Sequence, residues 1–267
     1  MSVATEWVRY GADNAFSGFF ARPARVKAGL PGVVVIQEAL GVDAHIEDVT
    51  QRVAMAGYAA FAPDLFALNG VRPAPLSPER VGLALAFLQQ LPPGASADPN
   101  VRDAELAKRP KAEADAIGET VATLFAGGYL PKVVAAAAWL RHEQPASRGQ
   151  KLGALGFCMG GTLAATLACS DAELAGAISF YGRTPSPELI AKLSCPLLAF
   201  HGSLDVALVA GIPALQQLMQ EHGKSLELLT YEGAPHAFFN DSRPSYTVAA
   251  ARDAWVRALQ FLQRTLT

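Results

Sequence analysis

The sequence predicts an α/β fold, a mostly parallel, doubly wound sheet with helices on both faces. Two observations carry that expectation. From about residue 30 to the end, strand and helix signals alternate, the pattern of parallel strands joined by crossover helices. The strongest strand signal, residues 32–37 (GVVVIQ), is continuously apolar and β-branched up to its last residue, as in a strand covered on both sides. A chain of 267 residues, 51% hydrophobic and 17% charged, can bury the core that such a sheet needs.

Ahead of the alternation, residues 6–10 and 16–21 flank the turn-rich Gly11-Ala12-Asp13-Asn14 and read as an antiparallel hairpin at a sheet edge. The 32–37 strand comes next. Ile46, Val49 and Val53 then predict a helix over 44–56, stopped at Gly57. Residues 58–62 read as a second buried strand, ended by Pro63-Asp64. Between 68 and 130 regularity falls. Pro73, Pro75, Pro78, Pro92, Pro93 and Pro99 punctuate the chain, short helices are expected at 79–91 and 112–125, and a charged run occupies 103–111. This stretch reads as an excursion over the active-site face within one domain, 1–267. A helix at 132–141 then feeds a strand at 151–155. Helix 161–169, strand 176–181, helix 187–192, strand 196–201, helix 209–222, strand 225–231 and helix 246–264 complete the order.

Composition narrows the function. A formal net charge of −2 gives no field to recruit nucleic acid or a membrane surface. The first 22 residues lack a signal-like apolar stretch, and the longest apolar run, 133–140, falls far short of the roughly 20 residues that span a bilayer. A cytoplasmic location is the default expectation, as a monomer or small homo-oligomer. Cys158, Cys169 and Cys195 are an odd number without a CxxC pair, which argues against a disulfide framework or a zinc site. Cys169 and Cys195 sit in apolar segments and read as small core residues. Cys158 does not.

Cys158 lies in Gly156-Phe157-Cys158-Met159-Gly160-Gly161, between a strand and a helix. This is the nucleophile-elbow pattern G-x-S-x-G with cysteine in place of serine. The glycines answer to a sharp turn in which backbones pack closely. The turn lifts the sulfur to the C-terminal edge of the sheet and to a helix N-terminus, where backbone N–H groups and the dipole favour thiolate and oxyanion. A buried structural cysteine in a Gly-rich turn is the plainer alternative. A nucleophile needs a base, and on this scaffold the order is nucleophile, acid, histidine. Of His45, His142, His201, His222 and His236, only His236 sits on a loop just after a strand at that edge. His201 lies within or at the end of a strand and His222 ends a helix. The acid is Asp205, in Phe200-His201-Gly202-Ser203-Leu204-Asp205, where it would orient the imidazole; helix N-capping is its bland alternative.

The chain resembles the dienelactone hydrolase (carboxymethylenebutenolidase) family of the α/β-hydrolase fold. The marks are Ile36-Gln37-Glu38-Ala39-Leu40-Gly41, residues 59–66 (AAFAPDLF), and the segments 156–161, 202–205 and 233–238. The resemblance implies an ester or lactone hydrolase working through a Cys-His-Asp triad and a thioester, with no metal or organic cofactor. It also implies that Glu38 faces the nucleophile. A desolvated carboxylate beside a thiol resists a second negative charge, so Cys158 would rest as a thiol until substrate shifts Glu38. A solvated strand-end glutamate is the alternative. The backbone N–H groups of Ala39 and Met159 would form the oxyanion hole. Arg183, Phe66, Phe238 and Tyr129 are candidates for binding substrate, each with an ordinary surface or core role as the rival. A general carboxylesterase, a thioesterase, or a catalytically silent binding protein on the same scaffold would share much of this pattern.

Overall fold

A computed structural model describes residues 2–92 and 98–267. Among these residues eight strands form one sheet in the order β1-β2-β4-β3-β5-β6-β7-β8. β1 (Val3–Tyr10) and β2 (Phe16–Pro23) are the expected antiparallel hairpin, and β2 also runs antiparallel to β4 (Ala59–Pro63). All other pairings are parallel: β3 (Gly32–Ile36) with β4 and β5 (Leu152–Phe157), then β6 (Gly176–Phe180), β7 (Leu197–Gly202) and β8 (Leu226–Tyr231).

The apolar run of β3 serves both faces by simple alternation. Val33 and Val35 pack with Ile46, Val49 and Val53 of α1 (Ala44–Met55) and with Phe261 and Leu262 of α10 (Val248–Leu266). Val34 and Ile36 join Val133, Ala136 and Leu140 of α5 (Leu130–His142) and Ala164 and Leu167 of α6 (Met159–Ser170). Helices therefore cover both sides, as the continuous β-branched strand requires. Asp43 starts α1 by accepting the Ile46 N–H at 3.0 Å.

The 68–130 stretch is more helical than its prolines suggest. It carries α2 (Pro78–Gln90), α3 (Pro99–Leu106) and α4 (Lys111–Phe125). Prolines sit at helix starts, where the missing N–H is no loss, and Asp98 caps α3 through the Asn100 N–H. Ala84, Phe87, Ile117 and Val121 give α2 and α4 a small core of their own. Pro93 and the rest of 93–97 lie outside the described residues. α7 covers Pro187–Ile190. The helix expected at 209–222 is instead α8 (Val206–Val209) and α9 (Ile212–Glu221). Pro213 explains the break: it cannot sit inside a continuous helix but fits the first turn of a new one. Among the described residues, no single helix is long and apolar enough to cross a membrane.

Candidate active site

Four strands deliver the residues singled out from the sequence to one sheet edge. Glu38 follows β3, Cys158 follows β5, Asp205 follows β7, and His236 lies beyond β8.

Cys158 occupies φ 54°, ψ −117°, a conformation suited to glycine and strained for any residue with a Cβ. It ends β5 and starts α6 at once, and its N–H is held by Phe180 O at 2.9 Å. The elbow closes because its glycines allow it. A Cβ on Gly156 would stand 2.0 Å from Gly160 O, and one on Gly160 would stand 2.3 Å from Ile36 O. The structure thus packs α6 directly on the ends of β3 and β5. Backbone strain recurs close by, at Tyr181 (φ 42°) and Ala237 (φ 59°). Positive φ at non-glycine residues gathers at sites that their surroundings hold in place.

His236 Nδ1 donates to Asp205 Oδ2 at 2.5 Å. Asp205 stands at the N-cap position of α8, yet its side chain caps nothing there. The carboxylate is spent on the histidine. Burial works against a charged His236, but the Asp205 hydrogen bond and the neighbouring Cys158 thiol outweigh it and raise the imidazole to about 10. The charged form suits a partner that becomes anionic when a thiol gives up its proton. His201 behaves differently. It is buried within β7, its Nδ1 has no partner, and burial lowers its pKa despite the nearby Asp205.

Glu38 is no surface residue, being only 3% exposed. Its Oε1 accepts the Tyr181 hydroxyl at 2.9 Å and its Oε2 accepts Asn240 Nδ2 at 2.8 Å. Arg243 Nε stands 3.6 Å from the same Oε2, buried and without a hydrogen bond of its own. Tyr181 also lies against the His236 ring, with centroids 5.0 Å apart. Burial and the Glu38 charge push its phenol well above the ordinary range, so it stays neutral and donates. The N–H groups of Ala39 and Met159 donate to no acceptor among the described residues.

The substrate-binding candidates separate. Phe66 and Tyr129 meet at 5.7 Å, edge to face, beside Leu40 and Met159 in the same apolar cluster. Phe238 is a correction: fully buried and packed on Tyr181 and Tyr231, it supports the site from behind and forms no wall. Arg183 is exposed, and only its backbone is engaged, donating to Thr162 Oγ1 at 2.9 Å.

Comparison with known proteins matches residues 16–266 to the model of the dienelactone hydrolase family. The chain belongs to that family. A Saccharolobus solfataricus protein assigned by name to the carboxymethylenebutenolidases is 35% identical over 96% of both chains. A Bradyrhizobium protein, named for 2-oxo-3-(5-oxofuran-2-ylidene)propanoate lactonase activity, is 30% identical over 98% of this chain and 95% of its own. Among solved structures, a Klebsiella pneumoniae protein described as a dienelactone hydrolase superposes with a TM-score of 0.71, at 23% identity, over 99% of this chain and all of its own. At that identity the likeness speaks for the α/β-hydrolase fold alone. As a dienelactone hydrolase family member, the protein is an enzyme that hydrolyses carboxylic esters or lactones.

Tyr181, Asn240 and Arg243 were not singled out from the sequence. The available signals were faint: Tyr181-Gly182 closes a strand at the reactive edge, and Asn240 and Arg243 follow the His236 motif within one turn-rich loop.

Proposed function

We propose that the protein opens a lactone or cleaves a small ester by covalent catalysis at Cys158. The observation that carries the reading is the 2.5 Å hydrogen bond of His236 to Asp205, at the same sheet edge as Cys158 on its strained elbow. Glu38 takes the thiol proton while the charged His236 pairs with the thiolate, and Sγ attacks the carbonyl carbon. The oxyanion is received by the N–H groups of Ala39 and Met159. As the C–O bond breaks, His236 gives its proton to the departing oxygen, which stays tethered if the substrate is a lactone. Water then gives a proton to His236 as its oxygen attacks the thioester, and Sγ leaves, taking back the proton held by Glu38. Glu38 adds a negative charge beside the reacting group and keeps the cysteine a thiol until substrate displaces the carboxylate.

The name of one relative supports a carboxylate-bearing substrate. The Bradyrhizobium lactonase is named for a furanone that bears a propanoate. Arg243, whose Nε is ion-paired with Glu38 at 3.6 Å but makes no hydrogen bond, is the cation that would meet such a carboxylate. Phe66 and Tyr129 would line the apolar side.

The test is acyl trapping. A His236→Asn variant offered a panel of butenolides and small esters should accumulate a thioester on the peptide containing Cys158, detected by intact and peptide mass. Cys158→Ala should show neither adduct nor turnover. Normal turnover by the alanine variant would end the covalent reading. Turnover of neutral esters in strong preference to carboxylate-bearing lactones would favour a general carboxylesterase instead.

A further inference from the structure

A second histidine–carboxylate pair lies behind the site. His45, the second residue of α1, is buried, with its side chain 1% exposed. Its Nδ1 donates to Asp241 Oδ1 at 3.2 Å, and its ring lies edge-on to Phe157 (6.0 Å) and Phe239 (6.2 Å). The other Asp241 oxygen accepts Arg52 Nη2 at 2.9 Å. Nε2 of His45 is buried and has no partner.

That loose nitrogen is informative. A position built only to fill space between Phe157 and Phe239 would be better served by an apolar ring, because an unsatisfied buried nitrogen weakens the fold. What the imidazole offers in return is a directed N–H toward Asp241. Asp241 directly follows Asn240, the residue that donates to Glu38 Oε2. Two residues further on, Arg243 faces the same carboxylate. The loop also contains Ala237 in its strained conformation, so something must hold it.

We infer that His45, Asp241 and Arg52 form a clasp that pins the His236–Arg243 loop to α1, so that Asn240 reaches Glu38 and Glu38 keeps its place at the site. All three are positioning residues, acting through Asn240 and Glu38 rather than on substrate. The inference rests on the proposed thiol mechanism for its kinetic readout, and on Cys158 alkylation for a readout independent of it.

The decisive variant is His45→Phe, which keeps a ring against Phe157 and Phe239 and discards the unsatisfied nitrogen. Its melting midpoint should stay within about 2 °C of the parent or rise, because the swap nearly conserves volume. Its kcat on a small ester such as p-nitrophenyl acetate should fall about tenfold, with KM changed less than about twofold, as for a displaced catalytic group. Asp241→Ala should match it. Asp241→Asn still offers His45 an acceptor and should keep kcat within about threefold of the parent.

Iodoacetamide labelling of Cys158 at pH 7, read by peptide mass, should slow about threefold in His45→Phe, because an unlatched Glu38 carboxylate can turn toward the sulfur. Burial pushes the Cys169 and Cys195 thiols up to about 11 and about 12, so they stay silent in this assay. A parent protein that hydrolyses no ester or lactone would sink the functional proposal, and labelling alone would then judge the clasp. Parental kcat and parental labelling in His45→Phe would overturn the clasp. So would a drop in melting midpoint with unchanged kcat per titrated thiol, which marks a merely structural role.

Discussion

Replacing Cys158 by glycine should abolish activity and stabilise the protein. Its φ of 54° with ψ of −117° belongs to the first central position of a type II′ turn, where glycine dominates. Holding a side chain there costs about 1–3 kcal/mol. Alanine retains the Cβ and the strain, so Cys158→Ala is the proper reference, and loss of the sulfur cancels between the two variants. Against the relief stand two smaller losses. Glycine gives the unfolded chain an extra freedom worth about 0.4–1 kcal/mol, and removing a half-buried methyl costs less than the ~0.8 kcal/mol of a fully buried one. With a mid-range strain, about 1 kcal/mol remains in favour of glycine. For a chain of this size that is a rise of roughly 2–4 °C in melting midpoint over Cys158→Ala. Urea unfolding of both variants at pH 7, followed by circular dichroism, measures it directly, with the m-value expected to be unchanged. Cys158→Gly proving less stable than Cys158→Ala would mean the elbow stores no strain. The account of the turn as a pre-set, tense nucleophile mount would then fail.

Three other expectations follow from the same geometry. Asp205→Asn should cut kcat/KM on the order of 10⁴-fold, by analogy with serine triads. It should also change the pH dependence of stability: His236 is raised from 6.5 to about 10, so its charged form stabilises the fold fully below about pH 6.5 and loses that contribution as pH rises through 10. With the imidazole 42% exposed the effect is screened, but thermal melts from pH 6 to 10 should slope less in Asp205→Asn than in the parent; an equal slope would remove Asp205 as the cause. Glu38→Gln should speed iodoacetamide labelling of Cys158 at pH 7 while lowering turnover, whereas unchanged labelling with full activity would leave Glu38 without a role. Gly160→Ala should lose about 2–3 kcal/mol or more, because its Cβ would meet Ile36 O and Gln37 O at 2.3 and 2.5 Å; a well-folded variant of normal melting point would refute the close packing of α6.

Much of this was legible in the sequence, and for identifiable reasons. Cys158 and Asp205 each follow a strand whose apolar run is unambiguous, His236 follows a glycine-marked turn beyond the more polar β8, and a sharp turn written in glycine allows few other residues. The sheet was equally readable, because β3 is apolar at every position and both faces are in fact covered. What stayed hidden depends on distant pairing. Tyr181 and Asn240 meet Glu38 across 143 and 202 residues of chain, and no local pattern announces such a contact. Phe238 shows the same limit from the other side: an aromatic near a reactive histidine reads alike whether it lines a site or backs it. The break between α8 and α9 was a local signal overlooked, since Pro213 stands in the middle of the expected helix.

The parallel pairing of β3 with β5 sets when the enzyme can first become reactive. Gly32 lies beside Leu152 and Ile36 beside Gly156, with the whole 37–151 stretch looped out between them. Closing so long a loop is slow and uphill until the neighbouring strands add their contacts, so this seam is expected to zip late in folding. Cys158 gains its elbow, and Gly160 its seat on Ile36, only once that seam is shut. A nascent or partly unfolded chain therefore carries an ordinary cysteine, without His236 or the N–H groups of Ala39 and Met159 arranged around it. Assembly itself withholds the chemistry until this long-range strand pair has formed.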